Sequence, residues 1–271
     1  MKEDVQSIHI GEIIRQKSGK TAPRVVVRLL EKLIHQDEIN YILSNYGHLS
    51  GLAFVKALMS YFDVRSEWIN PQNLPDSGRC IFVCNHPLGA YDGITISHLV
   101  GTHYGDVRYV VNDLLYNLEP LRPIFIPVNK FGRQSKDSVR MLDQTLQSNI
   151  PLVSFPAGIC SRKIDGKIQD LPWAKSFVKQ AIEYDRPIVP LFFDGKNSNL
   201  FYNIELVRKW FGIKLNVGMA LLPHEMFGVK HKRFDVYVGK PIMPCEIDSY
   251  GKTPKEIAQA IRKLVYTLKK K

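Results

Sequence analysis

Residues 80–93 read CIFVCNHPLGAYDG, and this stretch decides the fold, because a strand, a tight loop and a helix start follow one another in it. The apolar run CIFVC is typical of a strand that is buried on both faces of a sheet. Pro87 disfavours helix at His86 and Gly89 permits a tight turn, so we expect His86 where the strand ends. Asp92 then falls at the start of the next helix. Binding and catalytic sites of α/β sheets form at this end of their strands.

The same alternation of short apolar runs and helical stretches continues along the chain. Predicted strands lie at 80–85, 107–112, 125–129, 151–156, 187–194, 214–220 and 235–241. Predicted helices lie near 94–101, 135–147, 173–184 and 200–211, and Thr253 with Glu256 forms a capping box for a last helix. The sequence therefore predicts an α/β fold with a mostly parallel sheet of roughly seven strands, flanked by helices.

The N-terminal part of the chain has a different pattern. Residues 1–70 read as helical, and the turn-rich sequence NPQNLPDSG at 70–78 follows them. We expect an N-terminal helical segment, residues 1–70, and an α/β domain, residues 71–271. The helix predicted around 23–36 is amphipathic and basic, which suits either a membrane-interface element or a helix packed on the core.

The charge balance indicates what the protein binds. The 271 residues include 37 Lys and Arg against 26 Asp and Glu, a net charge of +11, which favours nucleic acid, an anionic membrane or small anions. We find no nucleic-acid-binding motif and therefore expect no nucleic-acid partner.

No apolar run reaches the roughly 18 residues of a spanning helix, and the N-terminus has no signal-like apolar region. The four cysteines are too few for a disulfide framework. A zinc site at Cys80, Cys84 and His86 is disfavoured, because no second Cys/His pair has ligand spacing, and this use of cysteine suits the cytoplasm.

Two further loops carry basic residues where predicted strands end. Lys130 and Arg133 follow one strand, and Arg162 and Lys163 follow another. In a parallel sheet these loops lie at the same edge as His86. His86 and the carboxylate of Asp92 are separated by one short loop, which is the outline of a general-base dyad. Simpler interpretations stay open at this point. Asp92 is also a good helix cap, His86 can bond within its turn, and basic loops are often merely solvated.

Taken together, NHPLGAYDG at 85–93 and FPAGICSR at 155–162 resemble two blocks of the glycerolipid (lysophosphatidate-type) acyltransferase superfamily. Its signature is H-x4-D followed by a block like F-P-E-G-T-R-S. Residues 129–133 and IVPL at 188–191 stand in the places of its other two blocks. More narrowly, the motifs are similar to a bacterial, hemolysin-like branch that O-acylates lyso-ornithine or lyso-glycine lipids.

The resemblance implies a peripheral enzyme on the cytoplasmic face of the inner membrane. It would move a fatty acyl group from acyl carrier protein or coenzyme A to the hydroxyl of a lysolipid, with no metal and no cofactor beyond that thioester. His86 would act as general base and Asp92 would orient it. The residues implied in substrate binding are Asn85, Gly89, Lys130, Arg133, Pro156, Gly158, Ser161, Arg162 and Lys163.

The sequence departs from the family pattern at two points. Five residues, not four, separate His86 from Asp92, and Ala157 stands where the glycerol-phosphate enzymes carry Glu. The second change favours a carboxylate-bearing lysolipid as acceptor. A 1-acylglycerol-3-phosphate acyltransferase is the first alternative, and a non-catalytic lipid- or nucleic-acid-binding protein on a degenerate scaffold is the second.

Overall fold

A computed structural model of the chain describes residues 7–112, 116, 118–128, 134–210 and 217–270. The helices in these residues are α1 (Ile10–Ser18), α2 (Arg24–Leu33), α3 (Gln36–Tyr46), α4 (Leu52–Phe62), α5 (Ala90–Tyr104), α6 (Lys136–Gln147), α7 (Ser176–Glu183), α8 (Asn199–Trp210), α9 (Val217–Phe227) and α10 (Pro254–Val265). The strands are β1 (Arg65–Ile69), β2 (Ile81–Cys84), β3 (Arg108–Asn112), β4 (Phe125–Val128), β5 (Leu152–Ser154), β6 (Arg162–Ile164), β7 (Lys167–Gln169), β8 (Ile188–Phe193) and β9 (Arg233–Val238).

Seven of the described strands form one sheet in the order β1-β9-β8-β2-β5-β3-β4. Neighbouring strands run parallel throughout, except that β8 and β9 are antiparallel. β6 and β7 form a separate antiparallel hairpin. The predicted α/β fold with a mostly parallel, seven-stranded sheet is therefore confirmed.

The central strand β2 separates two apolar cores. Phe82 and Cys84 pack in a cluster with side chains of α4 and α5, whereas Ile81 and Val83 pack with side chains of α6, α7 and α10. All four side chains of β2 are fully buried. Burial on both faces explains why the strand is apolar without alternation.

The structure corrects the prediction at two elements. Residues 65–69 are strand rather than helix, since β1 pairs with β9 along the sheet edge. Residues 217–220 begin helix α9 instead of ending a strand, and residues 211–216 lie outside the described part of the chain. An apolar run as short as VGMALL does not separate a strand from a buried helix, and Leu221 of α9 packs against Phe201 and Tyr202.

The helices before β1 are joined to the sheet through α4. Its residues Phe54, Val55 and Phe62 belong to the same core cluster as β2 and α5. By contrast, α2 contains no buried residue. In the part of the chain that is described, no helix is long and apolar enough to cross a membrane.

Candidate active site

The residue after β2 attaches the predicted catalytic loop to the neighbouring strand. The side chain of Asn85 is buried, its Oδ1 accepts a hydrogen bond from the backbone N–H of Phe193 (2.7 Å), and its Nδ2 donates to the Phe193 carbonyl (3.0 Å). Both groups of the carboxamide are thus engaged by the end of β8. Asn85 therefore supports the loop on which His86 stands.

Asp92 lies in the first turn of α5 and is fully buried. Its Oδ1 is 3.0 Å from Nδ1 of His86, although the N–H of the ring does not point squarely at the carboxylate. The same carboxylate accepts hydrogen bonds from the backbone N–H groups of Leu88 and Gly93, both at 2.8 Å. The five intervening residues fold around this carboxylate, so the longer spacing still brings His86 and Asp92 into contact.

The helix cap is not Asp92. Gly89 occupies the N-cap of α5 with a φ of 81°, and Asp92 is the third helical residue. A Cβ atom at Gly89 would also lie 2.8 Å from Leu222, so this position has both a backbone and a steric reason for glycine. The alternative in which Asp92 itself is the N-cap is therefore wrong.

Burial and nearby charges have opposing effects on the pKa of His86. Its side chain is only 14 % exposed and its ring lies 4.4 Å from that of Phe155, centroid to centroid. Burial lowers the pKa of His86, but the charge of Asp92 and the contact with it, together with the charge of Asp170, raise it, and the net pKa lies above the ordinary 6.5. Nε2 forms no hydrogen bond with any described residue, so this nitrogen is available to a substrate.

Asp170 is a buried carboxylate that sequence reasoning missed. Its Oδ1 accepts hydrogen bonds from the backbone N–H of His86 (3.2 Å) and from Oγ of Ser161 (2.6 Å), and its Oδ2 accepts one from Nε1 of Trp173 (2.8 Å). The backbone N–H of Ser161 in turn donates to the carbonyl of His86 (2.7 Å). Asp170 therefore joins the two loops that carry the predicted motifs. No local pattern around Asp170 signals this role.

The second motif block lies against the His86 loop. The pyrrolidine of Pro156 is buried and its carbonyl accepts a hydrogen bond from the N–H of Ala174 (2.9 Å). Gly158 is exposed, has a φ of 67°, and would carry a Cβ atom into open space. The backbone at Gly158 is thus accessible to a ligand.

The cationic residues of this block differ in exposure. Arg162 is buried, Nη1 donates to the Cys160 carbonyl (2.8 Å), and the guanidinium lies over the ring of Phe201 at 5.3 Å. Its charge acts to lower the pKa of His86. Lys163 is exposed, and the predicted binding residues Lys130 and Arg133 lie outside the described residues.

The cysteines near the site are poor nucleophiles. Cys84 and Cys160 are buried, and burial raises the pKa of both thiols. Cys160 packs with Phe201 and Tyr202, as expected for an apolar side chain. Within the described residues, no three His, Cys, Asp or Glu side chains are arranged to hold a metal ion.

Comparison with known proteins assigns the chain to a family. The family model described as acyltransferase matches residues 15–271, and the chain belongs to this family and is an acyltransferase. It is 44 % identical to the lyso-glycine lipid O-acyltransferase of Phocaeicola vulgatus over 265 residues, which is 96 % of this chain and 95 % of that protein. It is 43 % identical to the protein of the same name from Bacteroides thetaiotaomicron, covering 96 % and 97 %.

A solved structure is also similar. The crystal structure of the 1-acyl-sn-glycerophosphate acyltransferase PlsC from Thermotoga maritima aligns with a TM-score of 0.49 at 15 % identity. The alignment covers 97 % of this chain and 89 % of that chain.

Proposed function

We propose that the protein is a membrane-associated O-acyltransferase that moves a fatty acyl group from an acyl thioester to the hydroxyl of a lyso amino-acid lipid. The observation that carries the proposal is the buried Asp92 carboxylate 3.0 Å from Nδ1 of His86. The names of the two bacterial relatives support an acceptor of the lyso-glycine type. The thioester donor is acyl carrier protein or coenzyme A.

The reaction follows from the two nitrogens of His86. Nε2 takes the proton of the acceptor hydroxyl while its oxygen forms a bond to the thioester carbonyl carbon. The C–S bond then breaks, and the thiolate that leaves receives the proton from the imidazolium. Asp92 at Nδ1 orients the ring and stabilises its charged form during the transfer.

The acceptor's head group is proposed to lie near the second motif block. This block contains a buried guanidinium, Arg162, whose charge acts on the pKa of His86, and the exposed backbone of Gly158. An amino-acid carboxylate would gain from such a cation. Ser161 is buried and bonded to Asp170, which makes it a support for this loop.

Membrane association is proposed to use helix α2. Val25, Val26 and Leu29 of this helix expose 79 %, 44 % and 68 % of their surface, and Arg24, Arg28 and Lys32 are exposed on the same helix. Apolar side chains flanked by cations are typical of helices that lie at the surface of an anionic bilayer. The cytoplasmic face of the inner membrane is such a surface.

The test is transfer of a labelled acyl chain by the purified protein. Lyso-glycine lipid, lyso-ornithine lipid and lysophosphatidate are offered as acceptors, each with acyl carrier protein and coenzyme A thioesters. We expect transfer to a lyso amino-acid lipid, and a loss of at least about 10²-fold in His86→Ala, because the general base is removed. His103→Ala is the matched control, since His103 is exposed on α5 and should leave the rate unchanged.

Two outcomes contradict the proposal. A wild-type protein that acylates only lysophosphatidate would support the glycerol-phosphate alternative. A wild-type protein that is inert with every acceptor and donor, or one that His86→Ala matches in rate, would favour a non-catalytic role.

A further inference from the structure

The loop after β8 forms a wall of a cavity beside the catalytic loop. The cavity has a volume of about 360 Å³, and its lining includes Leu88, Lys196, Asn197, Glu225 and Lys232. β2 and β8 are parallel neighbours, with Cys84 opposite Leu191, so the two loops leave the sheet at the same level. Because Leu88 stands two residues after His86, the loop that carries His86 contributes to the lining of this cavity.

One buried side chain in this lining has unmet hydrogen-bonding capacity. Asn197 is only 4 % exposed, and neither its Oδ1 nor its Nδ2 has a hydrogen-bond partner among the described residues. Its backbone N–H donates to Oη of Tyr202 (3.2 Å). An unpaired carboxamide is costly to bury, so its presence calls for a functional explanation.

The charge of the lining is cationic. Lys196 and Lys232 are exposed, and neither forms an ion pair with a described residue. Glu225 is the acidic residue among the described lining residues, and its two carboxylate oxygens accept hydrogen bonds from the N–H and Oγ of Ser198, at 2.7 and 2.5 Å. The two lysines are therefore left to attract an anion.

We propose that this cavity binds a substrate group in which a secondary amide stands next to an anion. The carboxamide of Asn197 can accept from the amide N–H and donate to its C=O, while Lys196 and Lys232 hold the anion. This inference rests on the proposed function, because each of its two substrates contains a group with an amide next to an anion. One is an amino-acid head group acylated on its amine, whose carboxylate would then be held by Lys196 and Lys232 in place of Arg162. The other is the pantetheine arm of the donor, with a phosphate.

Direct binding to the purified protein separates these sources. N-acetylglycine stands in for the acceptor head group and 4′-phosphopantetheine for the donor arm, each titrated by NMR. Asn197→Leu removes both hydrogen-bonding groups and should weaken binding of one probe about tenfold. The double variant Lys196→Met/Lys232→Met should weaken the same probe, whereas Lys179→Met, an exposed lysine on α7, should not.

The probe whose affinity falls in the variants identifies the ligand of the cavity. The KM of the matching substrate should rise in the same variants. We expect Asn197→Leu to melt no earlier than the wild type, because it removes an unpaired buried group. Should that variant fail to fold, the double lysine variant decides, since both side chains are exposed.

The inference is overturned if neither probe binds the wild type, or if the variants bind both probes as the wild type does. A wild type that binds a probe but transfers no acyl group refutes the proposed function while leaving this cavity assignment supported.

Discussion

At the scale of single residues, the site depends on how His86 is held. Burial against Phe155 disfavours the charged imidazolium, while Asp92 and Asp170 favour it by a greater amount, so that the pKa of His86 is raised. A base whose pKa lies near the working pH combines a large unprotonated fraction with a strong pull on the substrate proton. The contact with Asp92 thus affects both the orientation and the strength of the proposed base.

Asp92→Asn tests this coupling. In the wild type, kcat/KM should rise with pH as His86 loses its proton, with a midpoint above 6.5, because the folded-state pKa is raised. Removing the carboxylate charge lowers the pKa of His86, so the midpoint should move to lower pH, and the limiting rate should fall by about 10²-fold or more. The measurement is the pH profile of kcat/KM. Asp137→Asn, at an exposed position on α6, is the control, and an unmoved midpoint in Asp92→Asn would count against the dyad.

At the scale of elements, helix α2 differs from the helices that cover the sheet. Helix α4 contributes Phe54, Val55 and Phe62 to the core, whereas α2 exposes much of its apolar surface. One side of α2 is half-buried, and Leu33 packs against the cluster that contains Phe201. The packed interpretation of this helix applies to that side, whereas bilayer contact by its exposed side stays our proposal.

Val26→Asp/Leu29→Asp should weaken binding to anionic vesicles. The change places two charges in the proposed apolar contact, and we expect at least a tenfold loss of vesicle affinity, measured by co-sedimentation. Val139→Asp provides a matched substitution, because Val139 is 54 % exposed on α6. Equal vesicle binding by the double variant and the wild type would exclude α2 as the membrane contact.

At the scale of the whole molecule, one buried cation holds several elements together. Arg186 is fully buried and donates to backbone carbonyls of Thr145 and Leu146 at the end of α6 (2.8 and 3.0 Å), and of Ile150 (3.0 Å) and Cys80 (3.1 Å) beside β5 and β2. Burial lowers its pKa to about 10. The buried charge of Arg186 is compensated by these carbonyls.

Arg186→Met should lower the free energy of unfolding by about 3 kcal/mol or more, because several buried carbonyls lose the guanidinium as a donor at once. The measurement is urea denaturation followed by circular dichroism. Arg140→Met removes an exposed arginine that pairs with Asp137, and this control should change stability by less than about 0.5 kcal/mol. A loss in Arg186→Met no larger than that of the control would show that the carbonyls find other partners.

Local sequence was sufficient for the features that depend on neighbouring residues. The apolar run of β2 predicts a buried strand, the motif loop places His86 at its end, and the capping box of Thr253 and Glu256 is present as predicted. Asp92 belongs to the same group, since only five residues separate it from His86. Such features follow from hydrophobic pattern and turn chemistry within a few residues.

Tertiary structure alone decided the contacts between distant parts of the chain. Asp170 bonds to His86 across 84 residues, and Asn85 bonds to Phe193 across 108. β1 becomes a strand because it pairs with β9, and the partners of Arg186 lie at the end of α6 and next to β5 and β2. These contacts arise from the register of parallel strands and from core packing, which no local periodicity encodes. The sequence alone was therefore enough to predict the strand, the loop and the candidate base. The contacts of Asp170, Asn85 and Arg186 could be assigned only from the tertiary structure, because the sheet brings distant loops together.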